Sequence, residues 1–391
     1  MASAGNLGDY YREIYARGLA GERPELPISW AELERRAVEA MEPRAAAYVS
    51  AGAGAEDTIR ENLHAFRRWR IVPRMLRDVA DRDLGTTVLG TAMPAPVLLA
   101  PIGVQTIVHP DGELATARAA AEVGVPMVVS TAAAHTLERI AEAAGEGPRW
   151  YQLYWPNDSG IVESMVRRAE AAGYTAIVVT LDTFIPGWKP RDLEQAWLPF
   201  LEGVGNANFL EDPVFRSQLS RPPEEDLGAA TAHYLNVYVN PSLSWDDIGR
   251  LREWSSLPIL VKGILHADDA RQARERGVDG LVVSNHGGRQ VDGSIASVDA
   301  LPPIAEAVGD DLPVLLDSGV RGGADVLKAL ALGARAVLLG RPYVWGLALG
   351  GQAGVEAVLR MLLAELDLTF ALSGYTSPDE LDRSALARGS D

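Results

Sequence analysis

From residue 95 onward, short apolar runs alternate with stretches in which apolar residues recur every three to four positions. Eight runs are candidate strands: 95–103, 126–131, 149–154, 175–182, 258–263, 280–285, 313–319 and 336–342. Most are apolar throughout, the pattern of parallel strands covered on both faces. Amphipathic helical segments fall between them, at 111–124, 135–145, 159–173, 245–255, 268–277, 298–308, 324–333 and about 343–365. Eight strand–helix pairs predict an α/β fold, a closed (β/α)8 TIM barrel. The alternative is a doubly wound open sheet, against which stands the lack of a Gly-rich turn after the first run.

Two regions break the alternation. Residues 1–94 read as an N-terminal helical segment. Ser29, three residues before Glu32, suggests a capping box opening a helix to about Met41, and a second helix spans about Ala55–Phe66. Between them, Gly52 and Gly54 loosen the backbone beside Tyr48. The second break is 183–243, between the fourth strand and its helix. Its seven prolines predict irregular chain, yet Trp188, Trp197, Phe200, Phe209, Phe215 and Tyr234 are too much aromatic surface for disorder. A partly ordered lid is expected, with a subunit contact as the alternative. The division is then one domain over 1–391, with the barrel at 95–365, the lid at 183–243 and a tail at 366–391.

The chain carries 36 Lys plus Arg against 53 Asp plus Glu, a formal net charge of −17. This argues against nucleic acid or an anionic membrane as partner. Without Cys there can be no disulfide, thiolate metal site or Cys nucleophile. The six His show no HExxH spacing, so no metal is expected. No apolar run reaches bilayer length and no signal pattern is evident, so a cytoplasmic enzyme is expected.

In this fold the C-terminal strand ends form the working face. They carry Pro101, Ile102 and Gly103; Ser130; Gln152 and Tyr154; Thr180 and Asp182; Lys262; Ser284, His286 and Arg289; Asp317, Gly319 and Arg321; and Gly340 and Arg341. DSGVRGGAD and LLGRP follow strands seven and eight, the usual phosphate position. Their glycines allow close backbone approach, and Arg321 and Arg341 add charge. The alternative there is ordinary turn chemistry. A second constellation joins Asp182, His286, Arg289, Lys262, Tyr154 and Tyr48. His286 suits proton abstraction, Asp182 could hold its imidazole, and Arg289 offers a fork for a carboxylate. Lys262 suits either a Schiff base or a fixed charge facing a developing anion. Three readings remain at this level: a flavin oxidoreductase, a lysine Schiff-base aldolase and a non-catalytic phosphate-binding barrel. Flavin absorbance near about 450 nm separates the first two.

The motifs SNHGGRQ, LDSGVRGGADVLKALALGA and LGRPY resemble those of the FMN-dependent α-hydroxy acid oxidases, and the resemblance covers nearly the whole chain. PRML, APIGV and LDTFIPGWKPRDL are most similar to its lactate 2-monooxygenase branch. The resemblance implies FMN as cofactor, a homotetramer or homo-octamer, and oxidation of a 2-hydroxy acid, L-lactate first, by dioxygen. The outcome it implies first is the monooxygenase one, oxidative decarboxylation to acetate, carbon dioxide and water with pyruvate caged; the alternative is an oxidase that releases pyruvate and hydrogen peroxide. Carried over by position, His286 would be the base and Asp182 its support. Tyr154 would bond the substrate oxygen, and Tyr48, Arg289 and Arg191 would hold its carboxylate. Lys262, Ser130, Gln152, Thr180 and Ser284 would surround the flavin ring, with Pro101, Ile102 and Gly103 passing its N5 edge and Gly103 leaving room there. Asp317 would meet the ribityl chain, and Gly319, Arg321, Gly340 and Arg341 the phosphate.

Overall fold

A computed structural model describes residues 7–389; the chain ends, 1–6 and 390–391, lie outside the described residues. The eight runs form β1 (Val97–Leu99), β2 (Met127–Ser130), β3 (Arg149–Tyr154), β4 (Ile177–Thr180), β5 (Ile259–Ile264), β6 (Gly280–Val283), β7 (Val314–Leu316) and β8 (Ala336–Leu339). All pair in parallel with their chain neighbours, and β8 pairs with β1, closing the barrel. Alternate residues point in and out. Leu98, Val128, Trp150, Val178, Leu260, Val282, Leu315 and Leu338 pack together inside, while Leu99, Val129, Leu153 and Val179 join the larger core beneath the helices. An antiparallel hairpin, Thr86–Val88 with Thr91–Met93, packs Val88 and Met93 against the interior layer, and Thr91 accepts from Trp150 Nε1 at 2.9 Å.

Register sets the working face. Ser130 pairs with Gln152, Tyr154 with Thr180 and Thr180 with Lys262, so consecutive strand tips deliver neighbouring polar groups. A register shift between Lys262 and Ile264 ends β5, and Gly263 there has φ +107°. Such a bulge re-aims the chain beside a site.

The surrounding elements depart from the sequence reading in particular places. The helix after Ser29 spans Trp30–Ala40, but Ser29 makes no side-chain cap. The capping box is absent because Glu32 pairs with Arg35 instead, Arg35 Nε donating at 2.8 Å. The stretch around Tyr48, read as loosened chain, is helical over Pro43–Ser50, with Pro43 in its first turn where no donor is lost. Residues 245–255 form two short helices, Trp245–Ile248 and Leu251–Trp254, parted at Gly249. The last long helix spans Arg341–Ser373, eight residues beyond Glu365, with non-helical geometry at Gly350 and Gly351. Past it, Leu386–Arg388 pairs antiparallel with Trp69–Ile71.

The insertion at 183–243 is folded. It holds helices at Pro190–Glu194, Ala207–Leu210, Pro213–Ser217 and Leu227–Tyr238. Phe209, Phe215 and Tyr234 are fully buried in it. Asn208 ties it to the barrel, accepting from Leu137 N at 2.8 Å and donating to Thr131 O at 3.0 Å. Arg168 meets the buried Asp212 at 3.0 Å.

Candidate active site

The strand tips open into a cavity of about 300 Å³. Tyr48, Pro101, Ile102, Gly103, Ser130 and Tyr154 line it, as do Lys262, His286, Arg289, Asp317, Gly319, Arg321, Gly340 and Arg341. The other residues named from the sequence stand elsewhere. Gln152, Thr180 and Ser284 are buried at the tips of the strand layer. Asp182 lies behind His286 and borders a neighbouring cavity. Arg191 turns away from the cavity to Glu56 at 2.6 Å and the Ser50 carbonyl at 2.8 Å.

His286 sits on a turn just past β6 with φ +58°, a left-handed conformation costly for a side chain with a Cβ. A local network holds it there. His286 N donates to Ser284 Oγ at 3.0 Å, and Gly287 N donates to Ser318 Oγ at 2.9 Å. Asn285 and Asn62 exchange amide hydrogen bonds at 2.7 and 2.8 Å, clamping the turn to the helix Asp57–Arg67. The imidazole Nδ1 lies 2.8 Å from Asp182 Oδ1. Burial opposes the Asp182 charge, but His286 and Lys262 outweigh it and hold its pKa below the usual carboxylate range. An ionised Asp182 accepts from Nδ1–H, which leaves Nε2 as the basic nitrogen facing the cavity. Tyr154 OH is 3.3 Å from that Nε2, and the two rings stack. Burial raises the Tyr154 pKa, so its hydroxyl stays protonated at neutral pH.

Two cations flank this base. Arg289 Nη1 donates to the carbonyls of Tyr48 at 2.7 Å and Ala51 at 2.8 Å, and its guanidinium lies over the Tyr48 ring. The other is Lys189, which sequence reasoning missed. It lines the cavity where Arg191 does not. Burial, then the nearby Arg289, lower its pKa to about 8. The signal was the run WKPRD. Pro190 starts a helix, leaving Lys189 at its cap and Arg191 on its outer side. A buried carboxylate, Asp192, approaches Arg289 at 3.7 Å with neither oxygen hydrogen-bonded.

Deeper in, Lys262 pairs with Asp317 at 3.1 Å and donates to Ser284 Oγ at 2.8 Å. Burial disfavours its charge, but Asp317 and Asp182 more than offset this and raise its pKa. Such an ammonium is a fixed charge, not the free amine a Schiff base requires. Arg321 and Arg341 have no carboxylate partner among the described residues. Arg341 donates to the carbonyls of Val49, Gly287 and Ala51 at 3.0–3.1 Å. Burial, then Arg289 and Arg321, push its pKa down to about 9. Gly319 has φ +94°, and a Cβ there would strike the Asn62 carbonyl. Gly103 is required for a different reason from the room expected there, since a Cβ would collide with the Ala132 carbonyl.

This donor set fits FMN. Gln152 Nε2 and Thr180 Oγ1, on adjacent strand tips, are buried with no hydrogen-bond partner, while Ser130 donates to Gln152 Oε1 at 3.0 Å. Open polar groups suit the rim of a flavin ring, and paired guanidiniums beside Gly turns suit its phosphate. The sequence pattern of the FMN-dependent dehydrogenases matches residues 37–388. The chain belongs to the FMN-dependent α-hydroxy acid oxidase family. Within that family it is 46% identical to an FMN-dependent alpha-hydroxy acid dehydrogenase of Schizosaccharomyces pombe, over 96% of this chain and 95% of the relative. It is 43% identical to an L-lactate oxidase of Lysinibacillus sphaericus, over 96% of each chain. Human 2-hydroxyacid oxidase 1 is 45% identical over 87% of this chain and 91% of its own. Among solved structures, a mandelate oxidase superposes with TM-score 0.82 at 37% identity, over 93% of this chain and all of that one. As a family member the chain is an FMN-dependent 2-hydroxy acid oxidoreductase. Among the described residues, no helix is long and apolar enough to cross a membrane.

Proposed function

We propose that the enzyme oxidises an L-2-hydroxy acid, L-lactate among them, to the 2-oxo acid, with dioxygen as electron acceptor. The observation that supports this most strongly is the Asp182–His286–Tyr154 chain, which faces the same cavity as Lys189 and Arg289. The substrate carboxylate lies between Arg289 and Lys189, with Tyr48 beside them. The substrate hydroxyl lies at His286 Nε2 and Tyr154 OH. His286 removes the hydroxyl proton, and Asp182 stabilises the imidazolium that results. Bound FMN supplies the ring that accepts the hydride equivalent from Cα. Gln152, Thr180 and Ser130 hold its rim, Asp317 its ribityl chain, and Gly319, Arg321, Gly340 and Arg341 its phosphate. Lys262 places positive charge beside the ring, where reduction adds negative charge.

The first reading of the outcome is the oxidase one, pyruvate plus hydrogen peroxide from lactate, supported by relatives named L-lactate oxidase and 2-hydroxyacid oxidase. The folded insertion roofing the cavity favours a second, in which pyruvate is retained and converted by peroxide to acetate, carbon dioxide and water. One experiment addresses both. Anaerobic L-lactate should bleach the flavin of the wild-type holoenzyme, and His286→Ala should abolish bleaching while retaining FMN. In air with catalase present, pyruvate supports release and acetate supports retention. Bleaching of His286→Ala at the wild-type rate refutes the base assignment. Assembly as a homotetramer or homo-octamer is part of the same reading, and light scattering of the purified protein measures it.

A further inference from the structure

The insertion does more than cover the site. Leu198, Phe200, Tyr234, Leu235, Tyr238 and Val239 all come from it, and all line the cavity. None is among the groups assigned to cofactor, carboxylate or hydroxyl. Phe200, Tyr234 and Tyr238, the three with rings, form a contiguous sheet of tilted rings beside Tyr154. Tyr154, stacked on His286, meets Tyr238 at 5.6 Å between centroids. Tyr238 meets Tyr234 at 4.9 Å and Phe200 at 5.8 Å. Facing loop residues Ile107 and Val108 add aliphatic surface. The sheet is preformed, because Tyr234 packs on the buried Phe209 at 4.9 Å and Asn208 pins this segment to the barrel.

The single methyl of lactate covers little of such a wall. We infer that this wall is a side-chain chamber, and that the preferred substrates are L-2-hydroxy acids bearing an apolar group much larger than methyl, a medium-length alkyl chain or an aryl ring. The inference rests on the 2-hydroxy acid reading above and specifies its substrate class. Each methylene moved from water onto apolar surface is worth about fourfold in binding, so preference should climb with chain length until the chamber is filled.

The test uses the FMN-loaded wild-type enzyme and anaerobic flavin reduction by L-lactate, L-2-hydroxybutyrate, L-2-hydroxyhexanoate, L-2-hydroxyoctanoate and L-3-phenyllactate. The expected result is a rise in kcat/KM of about fourfold per added methylene through at least the six-carbon acid. A second readout needs no turnover: calorimetric Kd values for acetate, butyrate, hexanoate and octanoate should fall in parallel. Leu235→Trp and Leu198→Trp, which fill the chamber from two sides, should each lower the ratio of hydroxyoctanoate to lactate kcat/KM at least tenfold. The chamber is overturned if lactate is the best substrate and octanoate binds no tighter than acetate, or if neither variant moves the ratio. If no hydroxy acid in the series reduces the flavin, the underlying 2-hydroxy acid reading falls instead.

Discussion

Lys189 makes the carboxylate clamp sensitive to pH, and this can be isolated experimentally. Its pKa is lowered to about 8 by burial first and by Arg289 second. The charge is therefore present below that pH and lost above it, while the substrate carboxylate stays ionised throughout. At pH 9 only about one-tenth of the free enzyme retains the charge. Lys189 is half-buried, so its pairing with a carboxylate should contribute about 1–2 kcal/mol, between the exposed and fully buried ranges. KM should accordingly be flat from pH 6.5 to 7.5, then rise by up to tenfold per pH unit and level off about 5–30-fold higher. Substrate binding stabilises the ammonium, so kcat should show the same limb displaced to higher pH. Lys189→Arg should abolish the limb, because a guanidinium remains charged across the range. Lys189→Met should raise KM at every pH and flatten the profile. Steady-state kinetics by oxygen consumption from pH 6.5 to 10 on all three proteins is the assay. An alkaline limb that persists unchanged in Lys189→Arg would show that another group titrates.

Three further outcomes are expected. Asp182→Asn should slow flavin reduction by about 10³–10⁴-fold in stopped flow, because an amide on Nδ1 favours the wrong tautomer; a loss under tenfold would remove Asp182 from that role. Arg341→Met should weaken FMN binding about 10–100-fold, the worth of one charge-assisted hydrogen bond, seen as flavin lost on dialysis; full retention at nanomolar protein contradicts the phosphate assignment. Trp150→Ala should destabilise the fold by about 3–5 kcal/mol in urea unfolding, since it empties the barrel interior and removes one of the two partners of the Thr91 hydroxyl, Thr175 remaining; a cost below about 1 kcal/mol would mean the interior collapses around the gap.

The barrel was legible because its strands are buried on both faces and so carry unbroken apolar runs. The strand-tip rule then ordered the residues of the working face, and thirteen of those it named line one cavity, joined by Tyr48 from the N-terminal segment. What stayed hidden depends on contacts between distant segments. The helix Pro43–Ser50 is held by the guanidiniums of Arg289 and Arg341, whose hydrogens go to the carbonyls of Tyr48, Val49 and Ala51 at its C-terminal end. That is a favourable pairing with the negative pole of the helix, supplied from more than 200 residues away. The two glycines that suggested loose chain lie past the helix end, where a Cβ on Gly52 would strike Ile59 and one on Gly54 would strike Asp292. In WKPRD, composition alone cannot say which cation faces inward; the start of the helix at Pro190 decides it. In the insertion, seven prolines suggest irregular chain, whereas Pro190, Pro199 and Pro213 each stand at the first turn of a short helix.

The electrostatics of the site run against those of the whole molecule. In a chain of net charge −17, Lys189, Arg289, Arg321 and Arg341 line one cavity, and only Arg289 has an acidic partner there, the distant Asp192. Burial lowers the Lys189 and Arg341 pKa values first, and repulsion adds to it: Arg289 depresses both, and Arg321 depresses Arg341 further. Convergent cations of this kind destabilise the fold unless anions join them. A phosphate dianion at one end and a substrate carboxylate at the other relieve the same repulsion, because Arg289 and Arg341 are both anchored on the Ala51 carbonyl. Because both anions draw on the same positive charge, filling either site should lower the potential at the other and make it harder to fill, a reciprocal coupling that needs no change of shape.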